Sequence, residues 1–417
     1  MHQKNGVMKG IYACWVAMTI ALAACSEKGK NNQKEYFPME EEELPVVAHT
    51  VSMDGEELLV CELDLLKDTV DLPLSYWVEN VQIIRLDGSD EALVGMGPVY
   101  VSDNYIMVGR HQSTPCKLFR KDGTYIGNVG SIGQGPGEYT MVYDAQIDEK
   151  AGYIYLLPWN AKSIYVYSLE GEYLKDIPLN KKYEDLVVPK GLFKVDAEKN
   201  RVAMVLLPFD YLPVVAWIQD MEGNVLHEVK DDHLKLKPDF SNEVLSTKYS
   251  ENLDVQIFTF WEMKKDTLYH LKMDNGELSP RFTMDFGKRD IMMHTYHEFC
   301  RHYLGTLTVP KQVGDNMYSA TNETYFMVDK ETKKGTFFRV RNDFMDGSPI
   351  PHMPWHFKEG YYTELLEPSI LKERIEKSLN EIQGMEPERR EYWEKLFSSI
   401  DEDDNNYIFV GNLKTEY

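Results

Sequence analysis

The sequence predicts an all-β chain folded as a six-bladed β-propeller with short helical insertions. Three observations predict it. Two-residue turns recur along the chain as Asp122-Gly123, Glu170-Gly171, Glu222-Gly223, Asn275-Gly276 and Asp346-Gly347. Their glycines are 48, 52, 53 and 71 residues apart, and a strand-rich repeat near 50 residues is a propeller period rather than that of a helical solenoid. Each turn is flanked by short runs rich in Val, Ile, Tyr and Phe, the composition of half-buried pleated surfaces. Finally, a lone strand near the N-terminus matches a lone strand at the C-terminus.

One unit shows the pattern clearly. After a glycine-rich connector at Gly130, Gly133, Gly135 and Gly137, residues 141–147, 153–157, 164–168 and 173–177 read as four strands of a meander. That is the unit of a propeller blade. Asp-Gly and Asn-Gly turns accept positive φ and match the twist of the strands they join. Around the other turns, residues 105–109 and 117–120, 201–207 and 214–219, 255–260 and 267–272, and 325–328 and 336–340 repeat the layout. Few of these runs alternate strictly, as expected of sheets covered on both faces by neighbouring blades.

The 71-residue gap is read as an insertion at 288–303, where Met292, Tyr296, Phe299 and Tyr303 recur at helical spacing. A second insertion is expected at 367–399. Pro368 suits a helix start, Ile370, Leu371, Ile375, Leu379 and Ile382 form an apolar stripe, and Gly384 and Pro387 separate it from a second helical run at 388–397. Five turns give five blades, so the sixth must combine both chain ends. Residues 360–365 and 406–413 read as its C-terminal strands. Residues 80–86 (NVQIIRL) would pair beside 406–413 and close the ring, removing two open sheet edges.

Residues 1–24 read as a lipoprotein signal peptide. Lys4 and Lys9 precede an apolar run at 11–22, shorter than the ~20 residues a spanning helix needs but suited to a signal. Leu22-Ala23-Ala24-Cys25 resembles a bacterial lipobox, making Cys25 the expected lipidation site. Residues 25–55 begin polar and charged and are expected to form a flexible tether, with the propeller at 56–417. The membrane is then a partner through the N-terminal lipid. Ser26 after the cysteine favours the outer membrane, with the domain facing either the periplasm or the cell surface.

The formal charge of −23 grows by two negative units once Lys4 and Lys9 leave. An acidic surface repels phosphate backbones, which argues against nucleic acid as a partner. Cys61, Cys116 and Cys300 are odd in number and lack CxxC spacing, so free thiols are expected, with one disulfide as the alternative.

The motif GQGPGEY at 133–139, together with the stretch 75–95, resembles the six-bladed β-propeller lipoproteins of Gram-negative gut anaerobes, related in architecture to NHL-repeat propellers. The resemblance spans about residues 60–417 and implies the same architecture. The chain departs from that pattern in its helical insertions and in ending almost directly after its last strand.

Candidate chemistry is sparse. The glycine run lacks the Lys-Ser/Thr of a phosphate loop and leads into a strand, so a tight connector is expected. His294, Glu298 and His302 would share one face of a helix, but the spacing is not HExxH, and a polar face is expected rather than a metal site. The run Asp401–Asn406 opens like a calcium loop but lacks its Gly and its closing Glu. No catalytic residue, metal ligand or cofactor is assigned. The hairpins between second and third strands should cluster at one end of the disc, presenting Arg110, His111, Trp159, Asn160, Phe209, Asp210, Tyr211 and Trp261. Aromatic rings beside polar groups stack on sugars or anchor partners, so these are the candidate ligand-binding residues. The expected function is a lipid-anchored, non-catalytic module binding a glycan, a peptide or an envelope protein. The alternative is a propeller enzyme, a lyase or hydrolase, acting in the central funnel.

Overall fold

A computed structural model describes residues 43–415, apart from 54, 110–113, 184, 263, 291–292, 309–310, 315–316, 320–322 and 383. The signal segment, Cys25, and the hairpin residues Arg110 and His111 lie outside the described residues.

Six antiparallel sheets stand around one axis. Blade 1 runs from Val99–Val101 to Tyr125–Val129, blade 2 from Val142–Asp148 to Tyr173–Pro178, and blade 3 from Gly191–Asp196 to Val225–Val229. Blade 4 begins at Glu243–Leu245 and reaches Leu278–Asp285; blade 5 begins at Met293–Glu298 and reaches Gly335–Arg341. Blade 6 takes Phe357–Lys358, Tyr361–Leu366 and Tyr407–Leu413 from the C-terminal region and Val78–Arg85 from the N-terminal one. The last two pair antiparallel, with Ile408 opposite Ile84 and Phe409 opposite Ile83, as the sequence predicts for ring closure. Apolar residues of adjacent blades merge into continuous clusters, such as Tyr155, Phe193, Met204 and Trp217 between blades 2 and 3.

The N-terminal segment does more than close the ring. Ala48–Met53 and Glu56–Glu62 form a hairpin whose second strand adds in parallel to the outer strand of blade 4, Leu59 facing Phe282. Thr69–Pro73 then adds in parallel to the outer strand of blade 5, where Arg339 grips Asp71 through two 2.9 Å hydrogen bonds. Residues 48–53, counted above with the tether, therefore belong to a sheet.

The helical reading of 288–303 is wrong. Met293–Glu298 and His302–Thr308 are the two inner strands of blade 5, paired with Tyr296 opposite Gly305. Tyr296 lies in the first strand, Phe299 in the turn and Tyr303 in the second, all buried, so their helical spacing is a coincidence of two strands and a short turn, and Met292 lies outside the described residues. Tertiary context overrides local periodicity here. The true insertion is the small hairpin Lys311–Gly314 and Met317–Ser319 between the second and third strands. Residues 325–328 and 336–340 are accordingly the third and fourth strands, and Asp346-Gly347 lies beyond the blade.

The expected helical hairpin is present as α1 (Pro368–Glu381) and α2 (Pro387–Ser399), joining the second and third strands of blade 6. Leu371 and Ile375 of α1 and Trp393 of α2 are buried against blade 6 residues including Tyr362 and Phe409. The GQGPGEY connector is a turn between blades 1 and 2. Glu138 Oε2 accepts from the Gln134 and Gly135 amides at 3.0 and 2.8 Å. Tyr139 donates to the Val129 carbonyl (2.5 Å) and accepts from the Cys116 amide (2.9 Å). Gly137 has φ +69°, and a Cβ there would lie 2.3 Å from the Tyr173 ring.

Candidate functional site

Antiparallel meanders send their turns to opposite ends of the disc. First–second and third–fourth turns emerge at one end; second–third hairpins and inter-blade connectors emerge at the other, the connector end. The large exposed apolar side chains are distributed unevenly between them. Tyr211 (61 % exposed), Phe240 (51 %), Trp261 (52 %) and Trp355 (48 %) all belong to the connector end. Among the described residues, no large exposed apolar side chain lies in a first–second or third–fourth turn.

Three of the expected hairpins can be placed. In blade 2, Asn160 takes a left-handed φ of +54° after Trp159, a conformation asparagine tolerates. Ala161 is then stitched to Val188 of the next connector by two backbone hydrogen bonds of 3.0 and 2.8 Å. In blade 3 the hairpin at Phe209 is fixed in the same way. The Asp210 amide donates to Leu236 O, and the Leu236 amide donates to Pro208 O, both at 2.8 Å. Each hairpin is thus a rigid part of the wall rather than a free loop. Between them lies a hollow of about 500 Å³ lined by Asn160, Tyr183, Asp185, Leu186, Val187, Pro189, Tyr211, Leu212, Pro213 and Phe240.

Aromatic rings join this hollow to the axis. Phe209 is fully buried and lies 5.7 Å from Tyr211 and 5.2 Å from Phe240, edge-on to the latter. Phe240 is 5.7 Å from Trp159, which is 6.0 Å from Tyr143. Lys190 closes the row, donating to the Phe240 and Asn242 carbonyls at 2.7 and 3.1 Å and to Glu243 at 2.6 Å. The structure therefore gathers Trp159, Asn160, Phe209 and Tyr211 into one neighbourhood. Phe209 supports it without facing solvent, and the Asp210 side chain is exposed. Trp261 stands on blade 4 against Phe260, at 4.6 Å, and does not line the hollow.

Little in the sequence marks the charges on the axis. Asp144 in the inner strand of blade 2 is fully buried. Lys248 Nζ reaches its Oδ2 at 2.6 Å, and Lys358 Nζ reaches its Oδ1 at 2.8 Å. The ammonium groups also sit over rings, Lys248 4.5 Å from Phe193 and Lys358 4.4 Å from Tyr100. Burial pushes the Asp144 carboxyl up, but the two cations override it and hold it below its ordinary value. The local clue is an aspartate within the mostly apolar run after Met141. Lys248 and Lys358 come from blades 4 and 6, and nothing near either residue marks it.

The suspected metal and calcium motifs have other occupations. Glu298 bonds His270 and Lys330 (2.7 Å). Burial pushes Glu298 up, yet those partners bring it down to about 2. Asp404 bonds Arg85 and accepts from Tyr407 (2.7 Å). Asn405 donates to the Asp87 and Ala92 carbonyls at 2.8 and 2.9 Å, fastening the two chain ends. Among the described residues no group of three His, Cys, Asp or Glu side chains could hold a metal ion. Cys61 is a buried free thiol and Cys300 an exposed one, while Cys116 is buried. No described helix is long and apolar enough to cross a membrane.

Fold and site together define a closed six-bladed propeller with a walled, aromatic hollow at its connector end. The chain belongs to the family described as a domain of unknown function, DUF4934, which matches residues 60–412. Among solved structures it is similar to a Bacteroides fragilis protein described as exported, with 14% identity and a TM-score of 0.53, covering 84% of this chain and 99% of that one. It is also similar to a DUF4221 family member from Bacteroides vulgatus, with 11% identity and a TM-score of 0.46, covering 81% and 96%. At these identities the likeness bears on fold alone. No curated protein matches the chain.

Proposed function

We propose that this protein is a lipid-anchored propeller of the outer membrane, exported and held through Cys25, that binds a neutral glycan at its connector end without chemical turnover. The observation that carries the reading is the hollow between blades 2 and 3. Tyr211 and Phe240 expose ring surface beside Asn160 and Asp185, and among the described residues no lysine or arginine lines it. Rings supply stacking surface for a sugar, and the amide and carboxylate supply partners for its hydroxyls. Rigid walls limit the entropy lost on binding. The similar Bacteroides fragilis protein is described as exported, in keeping with a signal at residues 1–24.

Titration calorimetry of the mature protein against a panel of neutral oligosaccharides tests the binding claim. Tyr211→Ala and Phe240→Ala should each weaken binding, since a well-placed aromatic contact contributes about 0.5–1.5 kcal/mol, with unfolding temperature unchanged for the exposed Tyr211. Failure of every glycan to bind, or equal binding by both variants, removes the reading. Cys25→Ser should release the protein from the membrane fraction, and an unchanged distribution would remove the anchor.

A further inference from the structure

Behind the aromatic hollow stands a buried lysine. Lys190 lies on the connector between blades 2 and 3, directly after Pro189 of the hollow's wall, and is 4 % exposed. A buried ammonium is costly unless its donors are used. Lys190 uses all three, on Phe240 O (2.7 Å), Asn242 O (3.1 Å) and Glu243 Oε1 (2.6 Å). The charge also lies 5.8 Å from the Trp159 ring and 5.9 Å from the Tyr143 ring, within range of a cation–π contact. Glu243 in turn accepts from the Tyr143 hydroxyl, which fixes the carboxylate from the other side.

These bonds join both walls of the hollow. The Lys190 carbonyl accepts from the Leu207 amide at 3.0 Å, at the foot of the hairpin that carries Tyr211. Its side chain reaches across to the next connector, which carries Phe240. Leu236 ties that connector to Pro208 and Asp210, but among the described residues the backbone of 237–242 makes no backbone hydrogen bond to blades 2 or 3. A local turn shapes the segment, with Asp239 accepting from the Ser241 amide (2.9 Å) and the Asn242 amide donating to Asp239 O (3.2 Å). Such a turn fixes shape but not place. The contacts of Phe240 with Trp159 and Phe209 are apolar and non-directional, so the lysine supplies the directional hold.

We propose that Lys190 is a positioning residue of this hollow: its ammonium holds the Phe240 connector against the Tyr211 hairpin and so sets the gap between the two exposed rings. The lysine touches no ligand itself. A wall held in place beforehand loses less entropy on binding. This role deepens the glycan reading above and rests on it for the effect on affinity, whereas the effect on the connector needs no ligand.

Amide hydrogen exchange and titration calorimetry of the mature protein test the two effects. In the free protein, Lys190→Met should speed exchange within 236–242 about tenfold or more and leave Tyr153–Pro158 of blade 2 unchanged. Calorimetry uses three neutral probes: cellotetraose, maltotetraose and tetra-N-acetylchitotetraose. For whichever binds, Lys190→Met should weaken binding about tenfold, or 1.4 kcal/mol. In a Phe240→Ala background the same change should cost less than about twofold, because the lysine acts through that ring, and in a Tyr211→Ala background it should still cost about tenfold. A lysine that only stabilised the fold would cost the same in both backgrounds. Thermal unfolding checks that each variant is folded. If Lys190→Met is not, Glu243→Gln, which takes the carboxylate from the ammonium, serves instead and should give the same pattern at smaller size. Unchanged exchange or full affinity in a folded variant, or an equal loss in both backgrounds, would overturn the proposal. If none of the three sugars binds the wild-type protein, the glycan reading falls, and exchange within 236–242 still upholds or overturns the role of the lysine.

Discussion

Asp266 shows how one side chain sets a pH dependence. It stands just before the third strand of blade 4, where Oδ2 accepts the Ile257 amide at 2.9 Å. Burial pushes its carboxyl up to about 7, outweighing the backbone hydrogen bonds and Lys264 that favour the charged form. The folded state therefore holds this proton more tightly than the unfolded chain, where a carboxyl titrates at about 4. Its contribution is fully present below about pH 4 and is lost as pH rises through about 7. Asp266→Asn keeps an acceptor for Ile257 but removes the titration. The variant should unfold at higher urea than wild type at pH 8 and lose its advantage at pH 4; equal midpoints at both values would refute this. The axial residues show what a sequence conceals at this scale. Asp144, Lys248 and Lys358 are far apart in the chain, and each is one charge among many until the ring brings them within 2.8 Å.

At the scale of elements, the repeat was legible where turn chemistry marked it. Blades 1 to 4 carry Asp-Gly, Glu-Gly or Asn-Gly between their third and fourth strands, with Gly123, Gly171, Gly223 and Gly276 all at positive φ. Blade 5 replaces that turn with 330–334, without the glycine pair. The next Asp-Gly then displaced the frame, and Tyr296, Phe299 and Tyr303 read as a helix. Candidate binding residues were legible for the same reason as the blades. Once the hairpins between second and third strands were placed, Trp159, Asn160 and Tyr211 had to share an end of the disc. Tyr183, Asp185 and Phe240 were missed because they lie on inter-blade connectors, which carry no repeating signature. The GQGPGEY turn offers a test. Gly137→Ala combines a left-handed φ with a clash against the Tyr173 ring, and strain of this kind costs about 1–3 kcal/mol. A lower unfolding temperature is expected, with blade 2 amides exchanging faster. An unchanged melting curve would mean the ring moves aside freely.

At the scale of the molecule, stability depends on joining the ends. The fourth strand of blade 6 is Val78–Arg85, and it covers Tyr407–Leu413 with a register from Leu413–Val78 to Tyr407–Arg85. A chain starting at Leu44 keeps every described strand and should unfold in one cooperative transition. A chain starting at Leu86 loses that strand along with the additions to blades 4 and 5. It should show exposed apolar surface by dye binding and no sharp transition; cooperative unfolding of this shorter chain would show that blade 6 does not need its N-terminal strand.

The shared blade also governs when the protein can finish folding. Its outermost strand, Val78–Arg85, is made long before its neighbour, Tyr407–Leu413. Until Tyr407–Leu413 has emerged, every nascent form has an unfastened sheet, whose bare amides and carbonyls can capture the wrong neighbour. Emergence of that seven-residue strand is thus a checkpoint built into the topology, and a chain cut short before it stays open to the quality-control machinery.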